Sequence, residues 1–280
     1  MDYNDFKKKF VQLTGFDLDS YKDQQMERRI SHFMKRVKAD HYYDYYKLLE
    51  SCPRERTGFI NFLTIHTTSF FRDPAVFRNL KNKVLPEILE RKKNRVKIWS
   101  AGCSIGAEPY SLSILMIELA GSNSKASRYS IVATDIEPQV LHQAQLGQFF
   151  LNQLEHISEK SLQKYFFPVG DTLEVKPEVK NRVIFKEHDL LKDPFEKGCD
   201  LILCRNVFIY FKPETQEKLL VNFIEALNPL GYMVVGCSES ISSFQRFGLQ
   251  KVDMAIYQKH KTFGPICRKE VPDVERNKGD

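Results

Sequence analysis

The chain has 280 residues, 42% of them hydrophobic and 28% charged, proportions that exclude global disorder and allow one large domain or two unequal ones. Its net charge of +6 suits an acidic partner but falls short of a polycationic nucleic-acid binder. No apolar run approaches the roughly 20 residues of a membrane span, and the start Met1-Asp2-Tyr3-Asn4-Asp5 is too polar for a signal peptide, so a cytoplasmic chain without membrane insertion is expected.

Residues 1 to about 94 read as helical. Asp19 or Ser20 is placed to cap a helix running through Lys38, in which Met26, Ile30, Phe33, Met34 and Val37 recur at helical spacing. The stretch 22–38 carries six Lys/Arg against two acids: Arg28 and Lys35 share one face, and Arg29, His32 and Arg36 another. Further helices are predicted over Tyr42–Leu49 and Thr57–Leu63, while Pro74 and Pro86 mark turns or first-turn positions. From Val96 the texture changes. Short apolar strands at 96–101, 130–134, 183–185, 200–203 and 231–235 alternate with helices ending at Leu119, Leu146 and Leu227. That alternation predicts an α/β fold with a parallel, doubly wound sheet, closed by a last strand at 255–258. Residues 150–182 interrupt it and read as a small insert with a hairpin at Gly170-Asp171. Residues 261–280 are expected to form a flexible tail. The expected domains are 1–72 (helical), 73–94 (linker helix) and 95–260 (α/β). The six cysteines form no Cys-x-x-Cys pair and do not group with histidines at metal spacing, so buried thiols and no metal site are expected.

The strongest local signal is Ser100-Ala101-Gly102-Cys103-Ser104-Ile105-Gly106-Ala107-Glu108-Pro109-Tyr110-Ser111. Its glycines allow a sharp turn and close approach of a ligand. It is neither the dinucleotide G-x-G-x-x-G nor a P-loop. Glu108 suits a cationic group such as an α-amine; the alternative is an acid in the first turn of a helix, favoured by the macrodipole. Asp135, ending the second strand, is placed to accept two ribose hydroxyls or to cap the next helix. Asp189, after the strand at 183–185, is placed to receive an adenine amino group. Three acids at the carboxyl edge of successive strands favour an adenosyl ligand with a cationic end, and S-adenosylmethionine fits better than NAD or ATP. Cys204-Arg205-Asn206-Val207-Phe208-Ile209-Tyr210-Phe211 adds polar Arg205, Asn206 and Tyr210 to that edge. The chain lacks the Pro-Pro-aromatic turn and the Pro-Cys nucleophile of nucleic-acid methylation, so no nucleic-acid substrate is expected. In His66-Thr67-Thr68-Ser69-Phe70-Phe71-Arg72-Asp73 the paired phenylalanines either wall the ligand cleft or pack in the core.

Taken together, and over nearly the whole chain to about residue 260, these segments resemble the chemotaxis receptor methyltransferases, the CheR family. The resemblance implies a Rossmann-like S-adenosylmethionine-dependent methyltransferase domain, a small helical N-terminal domain and an inserted β-subdomain. It implies methyl transfer to receptor glutamates, with S-adenosylhomocysteine as the other product. It places His66, Thr68, Arg72, Gly102, Glu108, Asp135, Asp189, Leu190, Arg205 and Asn206 at the cofactor and Arg72 and Tyr210 nearest the reaction. His66 stands where the family commonly has Asn, Ile105 for Thr and Ala107 for Glu. The partner it implies is the cytoplasmic helical domain of methyl-accepting chemotaxis receptors, whose acidic face Arg28, Arg29, Lys35 and Arg36 are placed to meet. The short insert argues against a pentapeptide tether, and a monomer is expected. The alternatives are a methyltransferase with another acceptor and a non-catalytic cofactor-binding adaptor.

Overall fold

A computed structural model describes residues 1–64, 68–92, 95–121 and 128–262. The predicted tail from 263 onward, and His66, lie outside the described residues.

The N-terminal layer is four helices, α1 (Tyr3–Thr14), α2 (Asp23–Arg36), α3 (Tyr42–Ser51) and α4 (Pro53–Leu63). Their apolar stripes close on a core dominated by aromatic rings: Phe6, Phe10, Phe33, Tyr45 and Phe59 are all buried, and Tyr45 meets Phe59 edge-on at 5.0 Å. The basic helix starts later than its sequence suggests. Asp17 accepts from the amides of Asp19 and Ser20 and nucleates a short 3-10 turn, so Asp19 and Ser20 are consumed there and Lys22 occupies the N-cap of α2. Likewise α4 begins four residues earlier than predicted, because Pro53 fits the first helical turn.

One helical run then extends through α5 (Pro74–Asn79), a π turn at Leu80–Val84 and α6 (Leu85–Arg91). The π turn precedes Pro86, which has no amide to donate; widening the turn absorbs that gap without breaking the run.

The main sheet has seven strands in the order β6-β2-β1-β7-β8-β10-β9. They are β1 (Val96–Ala101), β2 (Tyr129–Asp135), β6 (Val183–Glu187), β7 (Cys199–Leu203), β8 (Leu227–Val234), β9 (Leu249–Asp253) and β10 (Ile256–Lys259). The strands from β6 through β8 are mutually parallel, as predicted. The 255–258 strand does not close the sheet: β10 pairs antiparallel with both β8 and β9, and β9 is the edge. Alternation along the strands feeds two cores. Ile98, Ile131, Leu203 and Val234 meet α5, α6 and α7 (Ala107–Ala120), while Trp99, Val132, Ile202 and Met233 meet α11 (Pro213–Ala226). Between them, α8 (Pro138–Leu146) follows β2.

The insert is a second sheet, β3 (Gln148–Phe149), β5 (Thr172–Val175) and β4 (Phe166–Val169), with α9 (Glu159–Tyr165) and α10 (Pro177–Lys180). Phe70 is buried against it, edge-on to Phe149 at 4.8 Å and to Phe166 at 5.3 Å. Phe71 packs on Phe77 at 5.4 Å. The paired phenylalanines are therefore core, and neither walls the cleft.

Candidate cofactor and acceptor site

From β1 the chain crosses to β2 on one side, and β7 enters on the other, so the strand order switches between β1 and β7. A crevice opens at the carboxyl ends of strands at such a point. The turns after β1, β2, β6 and β7 all contribute to it, and Thr64, Thr68 and Ser69 close one side. Thr68, Arg72, Gly102, Glu108, Asp135, Asp189, Leu190, Arg205, Asn206 and Tyr210, every described residue expected at the cofactor or the reaction, line this one cavity.

The turn after β1 is made by Gly102 at φ +76° and Gly106 at φ +91°, both in the left-handed region. The space at these glycines is not taken up by ligand alone. A Cβ on Gly102 would stand 2.6 Å from the Val207 side chain, and one on Gly106 would press on Ala144, Tyr110 and Phe185. They are small so that the loops can pack.

Glu108 is nearly buried at the start of α7. Its Oε1 accepts from Ser100 Oγ at 2.7 Å and its Oε2 from Arg205 Nη1 at 3.3 Å. Burial pushes its carboxyl above the usual range, and Arg205 and Ser100 oppose that shift. Arg205 also donates from Nη2 to Asp73 Oδ2 at 2.6 Å and to the Arg72 carbonyl at 2.9 Å. Its guanidinium thus spans two carboxylates while its Nε is buried with no hydrogen-bond partner. Arg72 stands between Phe71 at φ +50° and Asp73 at φ +58°, two non-glycine residues in the left-handed region.

Asp135 Oδ2 accepts from the Ser104 amide at 2.8 Å and Oδ1 from the Glu137 amide at 3.2 Å, so the β2 acid braces the β1 turn. Asp189 behaves mainly as a turn residue: Oδ1 accepts from the Leu191 amide at 2.9 Å, and Lys192 Nζ lies 3.2 Å from Oδ2. It borders the cavity, but its oxygens serve the turn.

The helical layer forms the opposite wall. Lys22 N donates to the Tyr210 carbonyl at 2.9 Å and Lys212 N to the Ser20 carbonyl at 2.9 Å, an antiparallel bridge centred on Tyr21 and Phe211, whose rings lie 4.9 Å apart. The four basic side chains of α2 do not form one surface. Arg28, Lys35 and Arg36 are exposed, whereas Arg29 is half-buried, donating to the Phe62 carbonyl and lying over the Phe62 ring at 5.1 Å. Arg29 is therefore packed on α4 and does not share the exposed face of Arg28 and Lys35. Burial raises the pKa of Tyr210, and the guanidiniums of Arg29 and Arg72 oppose that shift.

Sequence reasoning missed Tyr21 and Asp73; nothing in the sequence pairs Tyr21 with Phe211 or Asp73 with Arg205.

The donor set fits S-adenosylmethionine. A carboxylate beside a guanidinium, Glu108 with Arg205, complements the ammonium and carboxylate of an amino-acid zwitterion, and Ile136 and Leu190 supply apolar surface in the same cavity. Comparisons with known proteins agree. Residues 1–64 match the family described as CheR methyltransferase, all-alpha domain, and residues 66–256 that described as CheR methyltransferase, SAM binding domain. A chemotaxis protein methyltransferase of Listeria innocua is 36% identical over 92% of this chain and 97% of its own length. One from Salmonella typhimurium is 32% identical over 84% of this chain and 82% of its own. Helical layer, acid-lined crevice and sequence relatives lead to one assignment: the chain belongs to the CheR family of S-adenosylmethionine-dependent methyltransferases.

Proposed function

We propose that this protein methylates glutamate side chains on the cytoplasmic helical domain of chemotaxis receptors, giving glutamate methyl esters and S-adenosylhomocysteine. The observation that carries the reading is the buried Glu108–Arg205 pair, in one crevice with Arg72 and Tyr210. Glu108, Asp135, Arg205, Asn206, Thr68 and Leu190 hold the cofactor, with Asp189 at the rim. Bound there, S-adenosylmethionine supplies a methyl group on a cationic sulfonium.

A glutamate side chain has an ordinary pKa near 4.3, so it arrives as an anion and needs no general base. Opposite charges vanish as such a methyl moves to a carboxylate, and water, which solvates the separated charges, opposes the step. The work of the site is alignment and exclusion of water. The Tyr21–Phe211 bridge closes the wall next to Tyr210. Arg72 steers the incoming carboxylate. Tyr210, a neutral donor with a raised pKa, orients one oxygen without neutralising the nucleophile. Arg28 and Lys35, on the exposed face of α2, meet the acidic face of the receptor helix. The tight β4–β5 hairpin supports docking without a pentapeptide tether.

The test is incubation with tritiated S-adenosylmethionine and receptor-bearing membranes. The expected product is a receptor-linked label released by alkali as methanol. Label that resists alkali, or none on receptors, overturns the reading.

A further inference from the structure

The loop after β7 carries Arg205, Asn206 and Tyr210, yet Asn206 sits at φ +60°, where a non-glycine residue needs outside support. That support comes from a buried acid outside the cavity lining. Glu239, in the Gly236-Cys237-Ser238-Glu239 segment after β8, is 7% exposed. Its Oε2 accepts from the Asn206 amide at 2.8 Å and the Gly236 amide at 2.6 Å, and its Oε1 accepts from the Ile209 amide at 3.2 Å. The Glu239 amide in turn donates to the Gly236 carbonyl at 2.9 Å. Both carboxylate oxygens are engaged, and the bonds tie two loops together at the β7–β8 edge. The packing leaves no slack. A Cβ on Gly236 would stand 2.8 Å from both Asn206 Nδ2 and Glu239 Oε2 and 3.0 Å from the Asn206 amide.

We propose that Glu239 is a positioning residue for methyl transfer: its carboxylate clamps the amides of Asn206 and Ile209 and so sets where Tyr210 stands in the crevice. This rests on the function proposed above. The chemistry requires an acid with both oxygens free to accept. A glutamine has one accepting oxygen and would turn an NH2 toward an amide donor, leaving a donor facing a donor. An aspartate is one methylene short of spanning both loops.

The test uses the full chain with Glu239→Gln and, as an independent disturbance of the same clamp, Gly236→Ala. Turnover at saturating S-adenosylmethionine is read on receptor-bearing membranes, S-adenosylhomocysteine binding by calorimetry, and folding by near-ultraviolet circular dichroism. Misplacing a reacting group by an ångström costs about 100-fold, so Glu239→Gln is expected to lower turnover by about that factor with a binding loss under about tenfold and the folded signal kept. In a Tyr210→Phe background the same substitution is expected to cost only a few-fold further, because both changes act through one group. Hydrogen exchange in the 204–211 segment is expected to quicken while α11 stays protected. Turnover within about twofold of wild type overturns the proposal. So does turnover falling only in step with cofactor binding, or loss of the fold in both variants. If wild type itself transfers no methyl to receptors, the functional reading fails, and the clamp is still judged by exchange: an unchanged 204–211 segment in Glu239→Gln overturns it.

Discussion

The two walls of the crevice are built by opposite physical means. The sheet wall is buried and cross-bonded: Glu108 to Ser100 and Arg205, Arg205 to Asp73 and the Arg72 carbonyl, Asp135 to the Ser104 amide. The helical wall is attached by one short backbone bridge at Tyr21 and Phe211 and by polar contacts that water reaches, the ion pair of Asp23 with Lys212 at 2.8 Å and the hydrogen bond from Lys192 Nζ to the Gly15 carbonyl at 2.7 Å. The first arrangement preorganises a pocket for a small zwitterionic ligand. The second suits a large acceptor met in solvent, where charge sets encounter and orientation more than binding strength. Substitution, salt and acid should therefore act differently on the two walls.

The largest expected effect is in the sheet wall. Arg205→Met leaves Glu108 and Asp73 without their shared guanidinium. Removing one partner of a buried ion pair costs about 3–5 kcal/mol, so urea unfolding should show a loss of that order together with loss of S-adenosylhomocysteine binding in calorimetry. Stability within about 0.5 kcal/mol of wild type would show that the pair is not the structural centre of this wall. The junction of the walls comes next. Tyr210→Phe removes one hydroxyl donor, and losing a single preorganised donor typically costs about 100-fold in turnover, with S-adenosylhomocysteine affinity held within about threefold. Equal loss of rate and affinity would place Tyr210 in cofactor binding instead.

The same contrast explains what could be read in the sequence. The parallel strands were legible because β1, β2 and β7 are mostly apolar runs buried on both faces. The edge strand β9, Leu249-Gln250-Lys251-Val252-Asp253, was not, since only Leu249 in it is buried and the rest reads as polar loop. In the site, Glu108 and Asp135 stood out because they stand at the carboxyl edge of successive strands, where open α/β sheets bind ligands. Asp189 carried the same signal, yet its oxygens are largely spent on a turn, which composition cannot distinguish from a ligand contact. Arg29 shares the docking role expected of Arg28, but α4 brings the Phe62 carbonyl to its guanidinium. Contacts between distant segments, Tyr21 with Phe211 or Glu239 with Asn206, leave no periodic trace in a single chain.

The helical wall should respond to salt. Arg28→Glu with Lys35→Glu reverses two exposed charges of α2 and leaves Arg29 on Phe62. Charge steering of this kind is expected to raise the KM for receptor about tenfold at low salt, with turnover and cofactor affinity unchanged. The gap from wild type should close as the Debye length shrinks from about 10 Å at 0.1 M to about 3 Å at 1 M. A KM difference that persists at high salt would mean that α2 contacts the receptor through packing and not through charge.

Acid should separate the walls most gently. Burial raises the pKa of Glu108, so its proton is held more tightly in the folded chain than in the unfolded one. Its contribution to stability is present at acid pH and is lost as pH rises through the folded value, while the ionised form that binds an ammonium exists only above that value. Asp23 is shifted the other way, first by its hydrogen bond to Lys212 and then by Lys7, so its contribution is present above the ordinary 3.8 and lost only as pH falls through a still lower value. Acidification from neutrality therefore reaches Glu108 first, above the ordinary 4.5, while the charges of the helical wall are intact. Calorimetry should find S-adenosylhomocysteine affinity falling by at most about tenfold per pH unit in that window, as one proton allows. Glu108→Gln should bind weakly and flatten the curve there. A wild-type curve that stays level down to pH 4.5 would mean that Arg205 outweighs burial and holds Glu108 charged, which would make the ion pair, and not the depth of the crevice, the feature that governs cofactor binding.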